Sequence, residues 1–111
     1  MTNSLKIFLS IVLLILFSCS SNIHQIKISK NSYLVDVRTP EEFESGSVEG
    51  AVNIPVGELE QRISELEDKK NIVVFCRSGA RASSAKQILE SAGFTDVVNG
   101  GSWQEVEEEI K

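Results

Sequence analysis

The residues best fitted for chemistry are Cys76-Arg77-Ser78-Gly79-Ala80-Arg81, which follow directly on the apolar run Ile72-Val73-Val74-Phe75. Thiolate, not thiol, is the reactive form of cysteine, and helix N-termini and neighbouring cations favour it. Arg77, Ser78, Gly79 and Ala80 are expected to form a tight loop whose backbone N–H groups, with the positive end of a following helix dipole, point at the sulfur. Such a cradle favours an anion, and Arg77 and Arg81 push Cys76 the same way, toward a nucleophile. The competing reading makes Cys76 a small buried hydrophobe at a strand end. It leaves two arginines and a glycine in one turn without a purpose.

The elements that must position this loop follow from the apolar periodicity. Ile72–Phe75 reads as a fully buried strand, and Ala82, Ala85, Ile88, Leu89 and Ala92 carry helical spacing up to a stop at Gly93. Tyr33–Val37 is a second strand. Thr39-Pro40-Glu41-Glu42 then supplies an N-cap, a proline at the first helical position and a capping box, opening a short helix with Phe43 inward. Gly46–Gly50 turns the chain into a strand at Ala51–Ile54, ended by Pro55. Val56, Leu59, Ile63 and Leu66 mark the buried face of an amphipathic helix whose outer face carries Glu58, Glu60, Arg62 and Glu65. Asp96–Val98 is a last short strand. Ser102 and Glu105 form another capping box, opening a helix that buries Trp103, Val106 and Ile110, with core packing as the role of Trp103. Ile26 and Ile28, alternating with lysines, predict an edge strand guarded by Lys27 and Lys30. Strands alternating with helices imply an α/β domain, its parallel sheet covered on both faces.

At 111 residues, 41% hydrophobic and 24% charged, the chain has the length and composition of one ordinary globular domain. Part of the apolar content lies in Leu5–Phe17, which carries no charge after Lys6. That stretch is too short for a spanning helix and suits the apolar core of an export signal, against the alternative of an uncleaved membrane anchor. It ends Leu16-Phe17-Ser18-Cys19-Ser20-Ser21, which resembles the lipobox of bacterial lipoproteins. The resemblance implies a signal peptide over residues 1–18, a lipidated Cys19 and tether over 19–25, and an exported protein held at a membrane and facing the periplasm or cell exterior. Cys76 is then the one free thiol of the mature chain, so no internal disulfide forms. A net charge of −5 argues against nucleic acid as a partner. His24 stands alone on the tether, so no metal site is expected, and no cofactor is called for.

Four further stretches, taken together, carry a family resemblance: Asp36-Val37-Arg38, Gly46-Ser47-Val48-Glu49-Gly50-Ala51-Val52-Asn53-Ile54-Pro55, the Cys76–Arg81 loop, and Asn99-Gly100-Gly101. In this order they resemble a single-domain rhodanese, over residues 26–111. The resemblance implies a three-layer fold with a five-stranded, mainly parallel sheet in order 3-2-4-5-1 and the active loop after the fourth strand. It implies thiosulfate sulfurtransferase activity: Cys76 takes the outer sulfur of a small anionic donor as a persulfide and passes it to cyanide or a thiol, a protein thiol included. Arg77, Ser78, Gly79, Ala80 and Arg81 would bind substrate and persulfide, with Arg81 either on the donor or paired with an acid of the domain. Asp36 and Arg38 would brace the loop, and a monomer is expected. Many family members read Gly-His-Ile where this chain has Gly46-Ser47-Val48, so Ser47 replaces a histidine. Two other readings compete. Phosphatases and arsenate reductases related to this fold have five residues between cysteine and arginine, whereas Cys76 and Arg81 bracket four. A non-catalytic binding module would not require Cys76.

Overall fold

The computed structural model describes residues 27–111. The expected signal peptide, Cys19, His24 and Ile26 lie outside them. In chain order the elements are strand β1 (Tyr33–Asp36), helix α1 (Pro40–Ser45), strand β2 (Val52–Asn53), a 3-10 helical segment (Val56–Leu66), strand β3 (Ile72–Cys76), helix α2 (Ala80–Ser91), strand β4 (Val97–Ser102) and helix α3 (Trp103–Ile110). The strands pair in parallel in the order β2-β1-β3-β4.

β3 is the spine of the sheet, and all of its residues are buried. Successive side chains of a strand point to opposite faces, so β3 feeds two cores. Ile72, Val74 and Cys76 join Val35, Leu59, Leu66 and Leu89 on one side; Val73 and Phe75 join Leu34, Val48 and Val106 on the other. A continuous apolar run is what a parallel strand buried on both faces requires. Both expected capping boxes form, Thr39 with Glu42 at α1 and Ser102 with Glu105 at α3.

Four expectations need correction. The last strand, expected at Asp96–Val98, runs over Val97–Ser102. The sheet has four strands among the described residues, not five: Lys27–Ser29 makes no ladder, although Ile28 packs against the Val73–Phe75 side. The Ser29 N–H is taken by Ser32 Oγ at 3.0 Å, and the Ser32 N–H returns to the Ser29 carbonyl at 3.0 Å. This tight turn spends backbone groups that a longer strand would offer a neighbour. The strand expected at Ala51–Ile54 shortens to Val52–Asn53, and pairing continues as single bonds, Ile54 N–H to the Asp36 carbonyl at 3.0 Å and Val56 N–H to the Val37 carbonyl at 3.0 Å. The amphipathic helix is a 3-10 segment kinked at Arg62 (φ −116°, ψ 15°), where the guanidinium turns to Glu65 at 2.7 Å. It still buries Leu59 and Leu66.

Between β3 and β4 the register shifts, from Val74 opposite Asn99 to Cys76 opposite Ser102, so β4 carries one extra residue at Gly100-Gly101. Gly100 packs under this bulge with no room for a side chain: a Cβ there would lie 2.5 Å from Val106 Cγ2 and 2.9 Å from Val73 Cγ1. Gly100→Ala is therefore expected to lower stability by about 1–3 kcal/mol, the usual cost of overpacking. Gly57→Ala, where nothing lies within 4 Å, should be neutral or stabilising. Urea midpoints of the two variants check this, and equal midpoints would contradict the packing assigned to Gly100.

Candidate active site

Cys76 is the last residue of β3, at the C-terminal edge of a parallel sheet, where binding sites of open α/β folds lie. It has 0% of its surface exposed. Its Sγ accepts the Gly79 N–H at 3.0 Å. Gly79 stands at φ 97°, ψ −13° as the N-cap of α2, a left-handed conformation that glycine adopts without strain, and it turns the loop back over the sulfur. Burial alone would raise the thiol pKa. The backbone N–H groups of Ala82, Ser78, Gly79 and Arg81 outweigh it and hold Cys76 below its ordinary value of 9.0. The loop thus stabilises negative charge on sulfur with backbone donors more than with side chains. Arg77, Ser78 and Ala80 are exposed around it.

The two arginines do different things. The Arg81 guanidinium forks onto Glu42 of α1, Nη1 to Oε1 at 2.7 Å and Nη2 to Oε2 at 3.1 Å. Of the two roles expected for Arg81, the structure has the pairing with an acid, which ties the loop to α1. Arg77 forms no salt bridge among the described residues. It lines a cavity of about 240 Å³ together with Arg38, Glu42, Ser45, Gly46, Trp103 and Gln104.

One wall of that cavity rests on a buried ion pair. Asp36 is fully buried and receives the Arg38 backbone N–H at 3.0 Å, Arg38 Nη2 at 2.7 Å and Ser47 Oγ at 2.7 Å. Arg38 Nη2 also donates to the Gly46 carbonyl at 2.6 Å, and its guanidinium lies 5.5 Å from the centre of the Trp103 ring. No buried side-chain nitrogen or oxygen among the described residues is left without a hydrogen-bond partner, the condition under which a buried charge pair is tolerable. Ser47, in the place of the family's histidine, thereby closes the Asp36 shell. Asp36 and Arg38 hold the turn at Gly46-Ser47 and the cavity wall; neither is bonded to Cys76. Trp103 packs against the Val73–Phe75 core, as expected, and its other side faces the cavity.

Two residues escaped sequence reasoning. Glu42 reads locally as a helix cap, and its Oε1 does accept the Thr39 N–H at 3.2 Å, yet the same carboxylate holds Arg81 from 39 positions away. Asn99 belongs to the recognised Asn-Gly-Gly stretch without a role, and its Nδ2 donates to the Gly79 carbonyl at 3.0 Å. Only the glycines beside it hinted at a close approach of chains.

Arg81, with help from the Thr39 cap, holds the Glu42 carboxyl down to about 2 from its ordinary 4.5. A depressed carboxyl stabilises the fold above its unfolded pKa and loses that contribution as pH falls through the folded one. The charge-dependent part of the wild type's stability advantage over Glu42→Gln should thus be present above pH 4.5, shrink as pH falls toward about 2 and be lost below it. Urea midpoints across that window measure it; an advantage that does not change with pH would show that the carboxylate charge is not involved.

Comparison with known proteins agrees with this architecture. The family model described as a rhodanese-like domain matches residues 20–109. Thiosulfate sulfurtransferase PspE of Escherichia coli is 38% identical over 74 residues, covering 65% of this chain and 71% of its own length. Thiosulfate sulfurtransferase 16, a chloroplastic protein of Arabidopsis thaliana, is 39% identical over 94 residues, 71% of this chain and 78% of its own. The solved structure of a rhodanese with anions from E. coli superposes with a TM-score of 0.61 at 37% identity, covering 67% of this chain and 89% of that one. The match takes in every strand of the sheet and the cysteine loop at the end of its central strand, and so this chain belongs to the rhodanese-like domain family.

Proposed function

We propose that this protein is a sulfurtransferase that carries a sulfane sulfur on Cys76, from thiosulfate or a similar donor to cyanide or a thiol. The observation that carries the reading is the cradle itself: a buried sulfur at a strand terminus, with the Gly79 N–H at 3.0 Å and further backbone donors around it. The Cys76 thiolate attacks the outer sulfur of thiosulfate. A Cys76 Sγ–S bond forms, the S–S bond of the donor breaks, and sulfite leaves with the electron pair. The product is a persulfide, itself an anion, and the loop donors stabilise it as an oxyanion hole stabilises a developing charge. Cyanide or a thiolate then attacks the outer sulfur, leaves as thiocyanate or a new persulfide, and returns Cys76 as thiolate. No outside oxidant or reductant enters either step.

Arg77 is the loop cation free of an acidic partner among the described residues, so it is the group to receive the sulfonate end of the donor. The engagement of Arg81 with Glu42 speaks against a phosphatase or arsenate reductase, which would need that guanidinium on a tetrahedral oxyanion. The names of the relatives support sulfur transfer, and the presence of Cys76 speaks against a module that only binds.

The same reading extends to the chain before Lys27. A charge-poor apolar core running into Leu16-Phe17-Ser18-Cys19 supports acylation of Cys19 and anchoring of the domain at a membrane surface. Cys19→Ser should release the protein from the membrane fraction or leave it unprocessed. A variant cleaved and anchored like the wild type removes this proposal.

For the chemistry, the mass of the reduced protein should rise by one sulfur atom after thiosulfate and return to its starting value after cyanide. Cys76→Ser should take up no sulfur and lose thiosulfate:cyanide activity by several orders of magnitude. Full activity in that variant would overturn the assignment.

A further inference from the structure

Asn99 stands opposite Val74 immediately before the bulge of β4, exposed, with its amide spanning two backbone groups. Its Oδ1 accepts the Gly101 N–H at 2.9 Å, and its Nδ2 donates to the Gly79 carbonyl at 3.0 Å. Gly101 is at φ 83°, and a Cβ on Gly79 would meet Gly101 Cα at 3.5 Å, so the loop and the bulge touch backbone to backbone. The pieces depend on one another. The extra residue in β4 turns Asn99 toward the loop, the tight seat of Gly100 between Val73 and Val106 holds the bulge, and the Gly101 N–H orients the Asn99 amide.

The same Gly79 whose carbonyl is held gives its N–H to Cys76 Sγ. A glycine in the left-handed region has no side chain to define its torsions, so the direction of that N–H depends on what grips the residue from outside. Its carbonyl has two partners, the Ser83 N–H of α2 at 2.9 Å and Asn99. The helix bond alone lets the loop pivot about the end of α2; the bond from β4 ties it to the strand beside Cys76.

We propose that Asn99 is a positioning residue for the sulfur cradle, fixing the Gly79 peptide from β4 so that its N–H stays aimed at Cys76. It touches neither sulfur nor substrate and acts through Gly79. The inference deepens the sulfurtransferase reading, but its test needs no sulfur donor and so fails or succeeds apart from it.

The charged groups around the loop are Arg77 and Arg81 within it, Glu42 on α1, Asp36 and Arg38 at the end of β1, and Glu105 on α3 beside Gly101. Asn99→Ala leaves all of them in place, so a change in the ionisation of Cys76 reports geometry and not added charge. The experiment follows the ultraviolet absorbance of thiolate against pH in the full chain, with the signal of its Cys76→Ser form subtracted. Asn99→Ala should move the midpoint up toward the ordinary 9.0 and so lower the thiolate fraction at neutral pH. Asn99→Asp keeps an acceptor for Gly101 but has no donor for Gly79, and should rise at least as far. A midpoint unchanged in Asn99→Ala, whether or not its thermal stability falls, overturns the proposal. So does a rise in the aspartate variant alone, which would be the effect of charge.

Discussion

A sulfur buried at the end of the central strand can bear a negative charge only if donors replace the water it has lost. In this protein the donors are backbone N–H groups, and every other feature of the site follows from having to hold them still. Backbone donors have no rotamers to lose, but their directions are set by the path of the loop. Gly79 makes that path possible by turning through the left-handed region, and the same freedom makes it the weak point. The loop therefore needs supports from outside itself, and it has one on each side. Glu42 grips Arg81 from α1, and Asn99 grips Gly79 from β4.

The division of labour between the arginines is a consequence. An arginine whose fork is filled by a carboxylate is a structural tie with little charge to offer a substrate. A neighbour left facing a cavity keeps its charge for an anion. Two residues of the same type in one short loop thus serve different ends, and the difference lies in what stands opposite each. The buried pair of Asp36 and Arg38 obeys the same logic one layer deeper. Breaking such a pair costs about 3–5 kcal/mol, so its presence beside the site is affordable only because Ser47, the Gly46 carbonyl and the Trp103 ring complete it. That shell gives the cavity a rigid wall next to the loop.

Parallel pairing explains where these supports come from. The strands all end at the same edge, so the segments leaving β1, β3 and β4 emerge side by side. α1 follows β1, the cysteine loop follows β3, and the bulge near the end of β4 rises beside them. Groups far apart in the chain meet there without any special folding of loops.

The chemistry and its immediate frame were legible in the chain itself. The apolar run into Cys76, the glycine three residues on and the helical spacing beyond are local patterns, and backbone sterics and burial periodicity translate them directly into strand, turn and helix. Both capping boxes are local in the same way. What only the tertiary structure decided was who stands opposite whom. Arg81 could serve a substrate or an acid until the sheet order brought Glu42 to it across 39 residues. Asn99 reaches Gly79 across 20, and Ser47 reaches Asp36 across 11. The sequence near Ile28 likewise has the alternation of a strand, but the turn at Ser29–Ser32 takes the Ser29 backbone groups instead. Short-range patterns specify the conformation of each segment; the partners of a side chain at the edge of a sheet are specified by topology, which no local window contains.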